Sequence, residues 1–273
     1  MYAPRVSFDG NGPAATETFG RRRDQLLEFA APLFDAVIEV ARGGDEDAYE
    51  LLVELLDELA VNPYASGLSG LIDQTRFVPA VAFHIAGVAA CWAGRDKLVG
   101  MLLMPERTVT EPARGAVPMA YGFRPYMATH RGQRDFKQLH DDLAELLSGV
   151  LNAGTFHRAW EAWAYLCAVA NVHFRAAKLP ADSSWPYLQV KDLHLGGGLT
   201  TVTAARVRAR LDKLGDAHPM LQAGFCGGSH ELFTEAGTTF ESNYGQAAET
   251  LDWQALPPGG GVLPSGPHYP GER

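Results

Sequence analysis

Two short clusters in this chain carry side chains that could act on a substrate. In DFKQLHDDLAELL, His140, Asp141 and Asp142 are consecutive. A neighbouring imidazole and carboxylate can supply two ligands to a hydrolytic metal centre, which then needs further ligands from other helices. In TFHRAWEAW, His157 and Glu161 stand four residues apart. On a helix they share one face, as a metal pair or an acid/base pair does. His173 cannot complete that site from the same helix: sixteen residues beyond His157, it falls on roughly the opposite side. The chemical reading is a metal-dependent enzyme whose site is assembled from His140, Asp141, His157 and Glu161. The plainer reading of His157 and Glu161 is a surface ion pair.

The remaining candidates carry less. HLGGGLTTVTAARV has the look of a phosphate cradle, but neither G-K-[ST] nor a strand-borne G-x-G-x-x-G is present. A loop with Thr201 or Thr203 as helix cap fits it better. Cys91, Cys167 and Cys226 are far apart, with no C-x-x-C pair and no recognisable nucleophile context. No G-x-S-x-G elbow appears. His84 lies alone in an apolar run and reads as a core histidine that must find a hydrogen-bond partner.

Composition narrows the class. Nearly half the residues are hydrophobic, at 47%, against 20% charged, which is a globular balance. A formal charge of -9 argues against a nucleic-acid footprint, and the Arg21–Arg23 cluster is followed at once by Asp24 and then Glu28. The unpaired cysteine count suits a reducing compartment, and MYAPRVSFDGNGPAATETF lacks the pattern of a signal peptide, so a cytoplasmic location is expected. From Phe77 to Trp92 there is no formal charge unless His84 takes a proton. That run is shorter than the roughly 20 residues of a membrane span, and Arg95, Asp96 and Lys97 follow it.

The elements that must position these residues are helical. The spacing predicts a first helix from Thr16 or Thr18 to Ala41, kinked or broken at Pro32 and stopped by Gly43-Gly44. A second opens at Asp45 and buries Ala48, Leu51, Leu52, Leu55, Leu56 and Leu59. In the uncharged run, Val81, Ile85, Val88 and Trp92 form a large ridge. Ala82, Ala86, Ala89 and Ala93 form a small-residue face that lets a neighbour approach closely. A turn at Ala93-Gly94 leads into a shorter helix ended by Pro105, which makes a buried hairpin. Residues 106–134 are broken by Pro112, Pro118 and Pro125. They offer Arg114, Arg124, Arg131 and Arg134 as a contact surface. A helix follows from Asp135. Thr155 then caps the cleanest amphipathic helix, with Phe156, Trp160, Trp163, Cys167, Ala170, Phe174 and Ala177 on one stripe. A short strand near 187–190, a basic helix from TVTAARVRARLDKLG and further helix after His230 complete the reading.

The string RFVPAVAFHIAGVAACWAGRDKLVGMLL resembles a helical region found at the C-terminal end of bacterial multidomain proteins. Those proteins carry TIR, sirtuin-like NADase or P-loop ATPase effector domains and are proposed to act in anti-phage defence. Pro79, Ala80, Gly87, Ala89, Ala90, Gly94, Arg95, Leu98, Leu102 and Leu103 carry the likeness. The resemblance implies a role in defence and brings no catalytic residues or cofactor. No effector domain precedes Thr16, so the chain is expected to act alone, with a separate partner, or as the C-terminal part of a longer protein.

The expected fold is mainly α, a multi-helix bundle or helical-hairpin array with a less regular C-terminal part. Its expected layout is a flexible N-terminus at 1–15 and a helical domain at 16–180. A smaller helical segment at 181–255 packs on that domain, and a disordered Pro/Gly tail fills 256–273. The expected function is a non-enzymatic sensor, regulatory or protein-interaction module. It has a protein partner or self-association, no nucleic acid, no membrane and no cofactor.

Overall fold

The computed structural model describes residues 13–60, 77–111, 115–118, 136–178 and 201–250. In chain order these form helices α1 (Pro13–Gly43), α2 (Glu46–Ala60), α3 (Phe77–Ala93) and α4 (Asp96–Leu102). A hairpin of strands β1 (Thr108–Glu111) and β2 (Gly115–Pro118) follows. Then come α5 (Phe136–Leu146), α6 (Ala153–Lys178), α7 (Thr201–Leu214), α8 (Pro219–Gln222) and α9 (His230–Thr250). Short 3-10 turns at Gly215–Ala217 and Phe225–Gly228 flank α8. The fold is mainly α-helical, as the periodicity predicts. No described helix is long and apolar enough to cross a membrane.

The uncharged run becomes the centre of the molecule. All of Phe77–Ala90 except Val78 is buried, because α1, α2, α4, α5 and α6 all pack against α3. An apolar helix without a polar face has no side to give to water. Gly94 turns the chain into α4 with φ +67, a backbone state that glycine adopts without strain. The hairpin expected here is present. The closest approach, however, is at Gly87 and not along the alanine face. A Cβ on Gly87 would collide with the Trp163 indole of α6.

Helix ends depart from expectation in ways that local chemistry explains. The first helix starts at Pro13, ahead of Thr16, since proline's fixed φ suits a first turn. It runs through Pro32 unbroken. Pro32 and Glu28 are both exposed, so the Glu28 carbonyl that loses its helical partner faces water. Asp45 caps α2, its Oδ1 accepting from Ala48 N–H at 3.0 Å. Asn152, and not Thr155, caps α6: its Oδ1 accepts the Thr155 N–H at 3.0 Å. The helix expected from Asp135 spans Phe136–Leu146.

Two larger corrections follow. Helix α2 buries Tyr49, Leu52, Val53, Leu56 and Ala60. Leu51 and Leu55, expected in the core, are 67% and 37% exposed. In the Pro-rich stretch, β1 and β2 pair antiparallel with Val109 opposite Val117, a hairpin that the helical reading missed.

Buried residues of α7, α8 and α9 join the same apolar core as those of α1 to α6. Several expectations fall outside the described residues: most of the 1–15 segment, Arg114, Arg124, Arg131 and Arg134, the strand near 187–190, and the 256–273 tail. Adding a methyl at the α3–α6 contact forces the two helices apart, an overpacking cost of about 1–3 kcal/mol. Gly87→Ala is therefore expected to lower the free energy of unfolding by that margin, seen as a lower urea midpoint, with helix content unchanged. A midpoint equal to wild type contradicts the close approach.

Candidate functional site

The four residues proposed for a metal site occupy two separate dyads. On α5, His140 Nδ1 lies 3.1 Å from Asp141 Oδ1, and both side chains reach solvent. The His140 ring rests on Phe156 and Trp160 of α6, at centroid distances of 5.1 and 5.9 Å. Its neighbour Asp142 faces inward and is buried. Both carboxylate oxygens of Asp142 receive the Arg23 guanidinium of α1, the Nε contact at 3.0 Å and the second through a terminal nitrogen. This bidentate pair ties α1 to α5.

On α6, His157 Nε2 is 3.3 Å from Glu161 Oε1, as the i, i+4 spacing requires. The pair is not the surface contact expected, because Glu161 is only 3% exposed. Its Oε2 accepts a 2.6 Å hydrogen bond from the Thr203 hydroxyl of α7. Thr203 is therefore a buried donor within α7 and not its cap. His173 is buried further along α6, close to Gly227. Among the described residues, no three His, Cys, Asp or Glu side chains gather where they could hold a metal ion. The structure thus separates His140–Asp141 from His157–Glu161, and Glu161 has a nearer partner in Thr203 than in His157.

His84 resolves in a different way. Its Nδ1 accepts the Trp163 indole N–H at 3.0 Å in the core. An indole nitrogen only donates, so the imidazole presents its lone pair at Nδ1 and carries its proton at Nε2. Around this bond stand Phe83 and Trp160, with ring centroids 5.3 and 6.1 Å from that of His84. Phe156 stacks on Trp160 in turn. An aromatic column therefore runs from α3 through α6 to His140 on α5.

Other polar clusters had no signal in the sequence, because their members are distant in the chain. Asp96 at the start of α4 takes both Oδ contacts from one Arg210 terminal nitrogen of α7, at 2.6 and 2.7 Å. His218, the cap of α8, places Nε2 3.5 Å from Asp96 Oδ2. Its Nδ1 accepts from Met220 N–H at 3.3 Å. On the far side of α6, the Tyr165 hydroxyl donates to Glu241 at 3.0 Å, and Arg208 bridges both. Burial pushes the Tyr165 phenol well up. Arg107 donates to Val53 O at 2.8 Å and Asp57 at 2.7 Å, fixing the chain after α4 to α2. Burial lowers the Arg107 pKa and raises that of Asp57, each against the pull of its partner.

The cysteines are not poised as nucleophiles. Burial pushes the Cys91 thiol up to about 12, and raises Cys167 and Cys226 as well. Protonated thiols are poor nucleophiles and poor ligands. Cys226 also sits at φ 50, within a tight left-handed turn completed by Gly227 and Gly228. Comparison of the chain with protein families, curated proteins and solved structures finds no match.

His218 makes the folded state sensitive to acid. Burial lowers its pKa below the ordinary 6.5 and Arg210 adds to this, while Asp96 opposes both. As pH falls through 6.5 the unfolded chain takes up the proton first, so stability is lost from there down to the lowered folded value. His218→Asn replaces the capping Nδ1 with an amide oxygen that accepts in its place but cannot titrate. Between about pH 7.5 and pH 5, urea unfolding should show a larger loss of stability in wild type than in this variant. Equal losses contradict the assignment.

Proposed function

We propose that the chain is a helical protein-interaction module that acts by binding and regulation, in a bacterial defence setting, and not by catalysis of its own. The observation that carries this reading is the outward face of α2. Leu51 and Leu55 recur at helical spacing, yet they stand 67% and 37% exposed while Leu52 and Leu56 fill the core. Burying both leucines against a partner would remove apolar surface that the fold itself leaves in water.

The polar side chains are consistent with a scaffold. Asp142, Glu161, His84 and Asp96 each bind a residue on another helix, so their chemistry holds the bundle together. The defence setting comes from the resemblance of the α3–α4 hairpin to helical regions of effector-bearing bacterial proteins. Such a region would report to an effector, on the same polypeptide or on a separate one.

A photo-reactive side chain at position 51 tests the reading in the cells that make this protein. The expected result is a discrete protein adduct that does not form when the same group stands at position 235, an exposed site on α9. Equal labelling from both positions contradicts it. So does stoichiometric zinc, iron or manganese in the purified chain that is lost on His140→Ala or His157→Ala.

A further inference from the structure

Two helices of this chain carry complementary outer faces. On α2 the exposed positions Asp47, Glu50, Leu51, Glu54, Leu55 and Glu58 follow one helical stripe. The helix contains no lysine or arginine. Of its acids, Glu46 pairs with Lys97 and Asp57 with Arg107. Among the described residues Asp47, Glu50, Glu54 and Glu58 pair with no base. This face is two leucines bordered by four uncompensated carboxylates.

On α7 the pattern is the reverse. Val202, Ala205, Arg206, Ala209, Arg210 and Lys213 are exposed along one side, and Leu214 continues it at the C-terminal end. Val202 is 55% and Leu214 51% exposed. Arg210 is held by Asp96, but Arg206 and Lys213 pair with no acid among the described residues. Small alanines between the basic side chains leave room for leucine side chains to enter. Few large hydrophobic residues are exposed among the described residues, and four of them lie on these two faces.

We propose that the occupant of the α2 face is α7 of a second copy of this chain. This rests on the interaction reading above and names its partner. Leu51 and Leu55 pack against Val202, Ala205 and Ala209, while Glu50, Glu54 and Glu58 face Arg206 and Lys213. The apolar contact supplies affinity, and the opposed charges fix partner and orientation. Because the two faces differ, each contact joins one α2 to one α7. Two copies satisfy both contacts at once when the geometry closes as a two-fold dimer; otherwise each docked copy still offers a free face and assembly continues into a ring or an open array.

Sedimentation velocity on the purified full chain tests this across a concentration series. Wild type is expected to form dimers or larger oligomers that weaken at about 1 M salt, where the Debye length is about 3 Å and the charge contribution is screened. The double variant Leu51→Ser/Leu55→Ser loses α2 docking, and Arg206→Glu/Lys213→Glu loses α7 docking. Each alone is expected to be monomeric with unchanged circular dichroism, since all four positions are exposed. Mixed one to one, they should form a heterodimer that grows no further, because one intact α2 and one intact α7 remain. Wild type that stays monomeric, or oligomers that either double variant leaves intact, overturns the proposal. If a monomeric wild type still gives a position-51 adduct with a different protein, self-association falls and the interaction reading stands. If position 51 captures nothing, both fall.

Discussion

The fold depends on a single crossing, where α3 meets α6 at Gly87. The Trp163 indole lies where a side chain at 87 would be, and its N–H reaches His84 one turn back on α3. Apolar packing and a polar bond therefore act on one pair of helices from the same indole. Packing alone would tolerate small slides and rotations, since alanine faces are shallow. A buried donor and a buried acceptor that must meet at 3.0 Å do not tolerate them, because losing the bond leaves two polar groups unsatisfied in the core.

Once that crossing is fixed, the other polar ties fall into place around it. Trp160, one turn before Trp163, rests against both His84 and His140 and so sets the distance to α5. Asp142 on α5 then meets Arg23 and holds α1. Glu161, next to Trp160 in sequence, is carried to the opposite flank and meets Thr203, which holds α7. Residues that look catalytic in a linear reading are thus drawn into joints between helices. Among the described residues, the acidic face of α2 and the basic face of α7 carry charges that take no part in these joints.

Much of the architecture was legible in the sequence. The uncharged run, its lack of a polar face and the Gly94 turn sufficed to place a buried hairpin. His84 could be read as a bonded core histidine from burial alone. Its partner could not, because Trp163 lies far along the chain and any buried donor would have served. The rotation of α2 was misread for a related reason. Leucines at 51, 52, 55, 56 and 59 fit more than one face, and only the neighbours decide which face is buried. Periodicity also gave no sign of the Thr108–Pro118 hairpin, whose strands are four residues each. The i, i+4 spacing of His157 and Glu161 was correct as geometry. The depth of Glu161 depends on Thr203, which belongs to a helix beyond a glycine-rich stretch.

The coupling between His84 and Trp163 bears most directly on the idea that one crossing organises the bundle. A double-mutant cycle with His84→Phe, Trp163→Phe and the pair measures it by urea unfolding. The bond predicts a coupling of about 1 kcal/mol or more, the double variant losing less stability than the two single losses summed. Additivity within about 0.3 kcal/mol would show that the two side chains act independently, and would contradict the account.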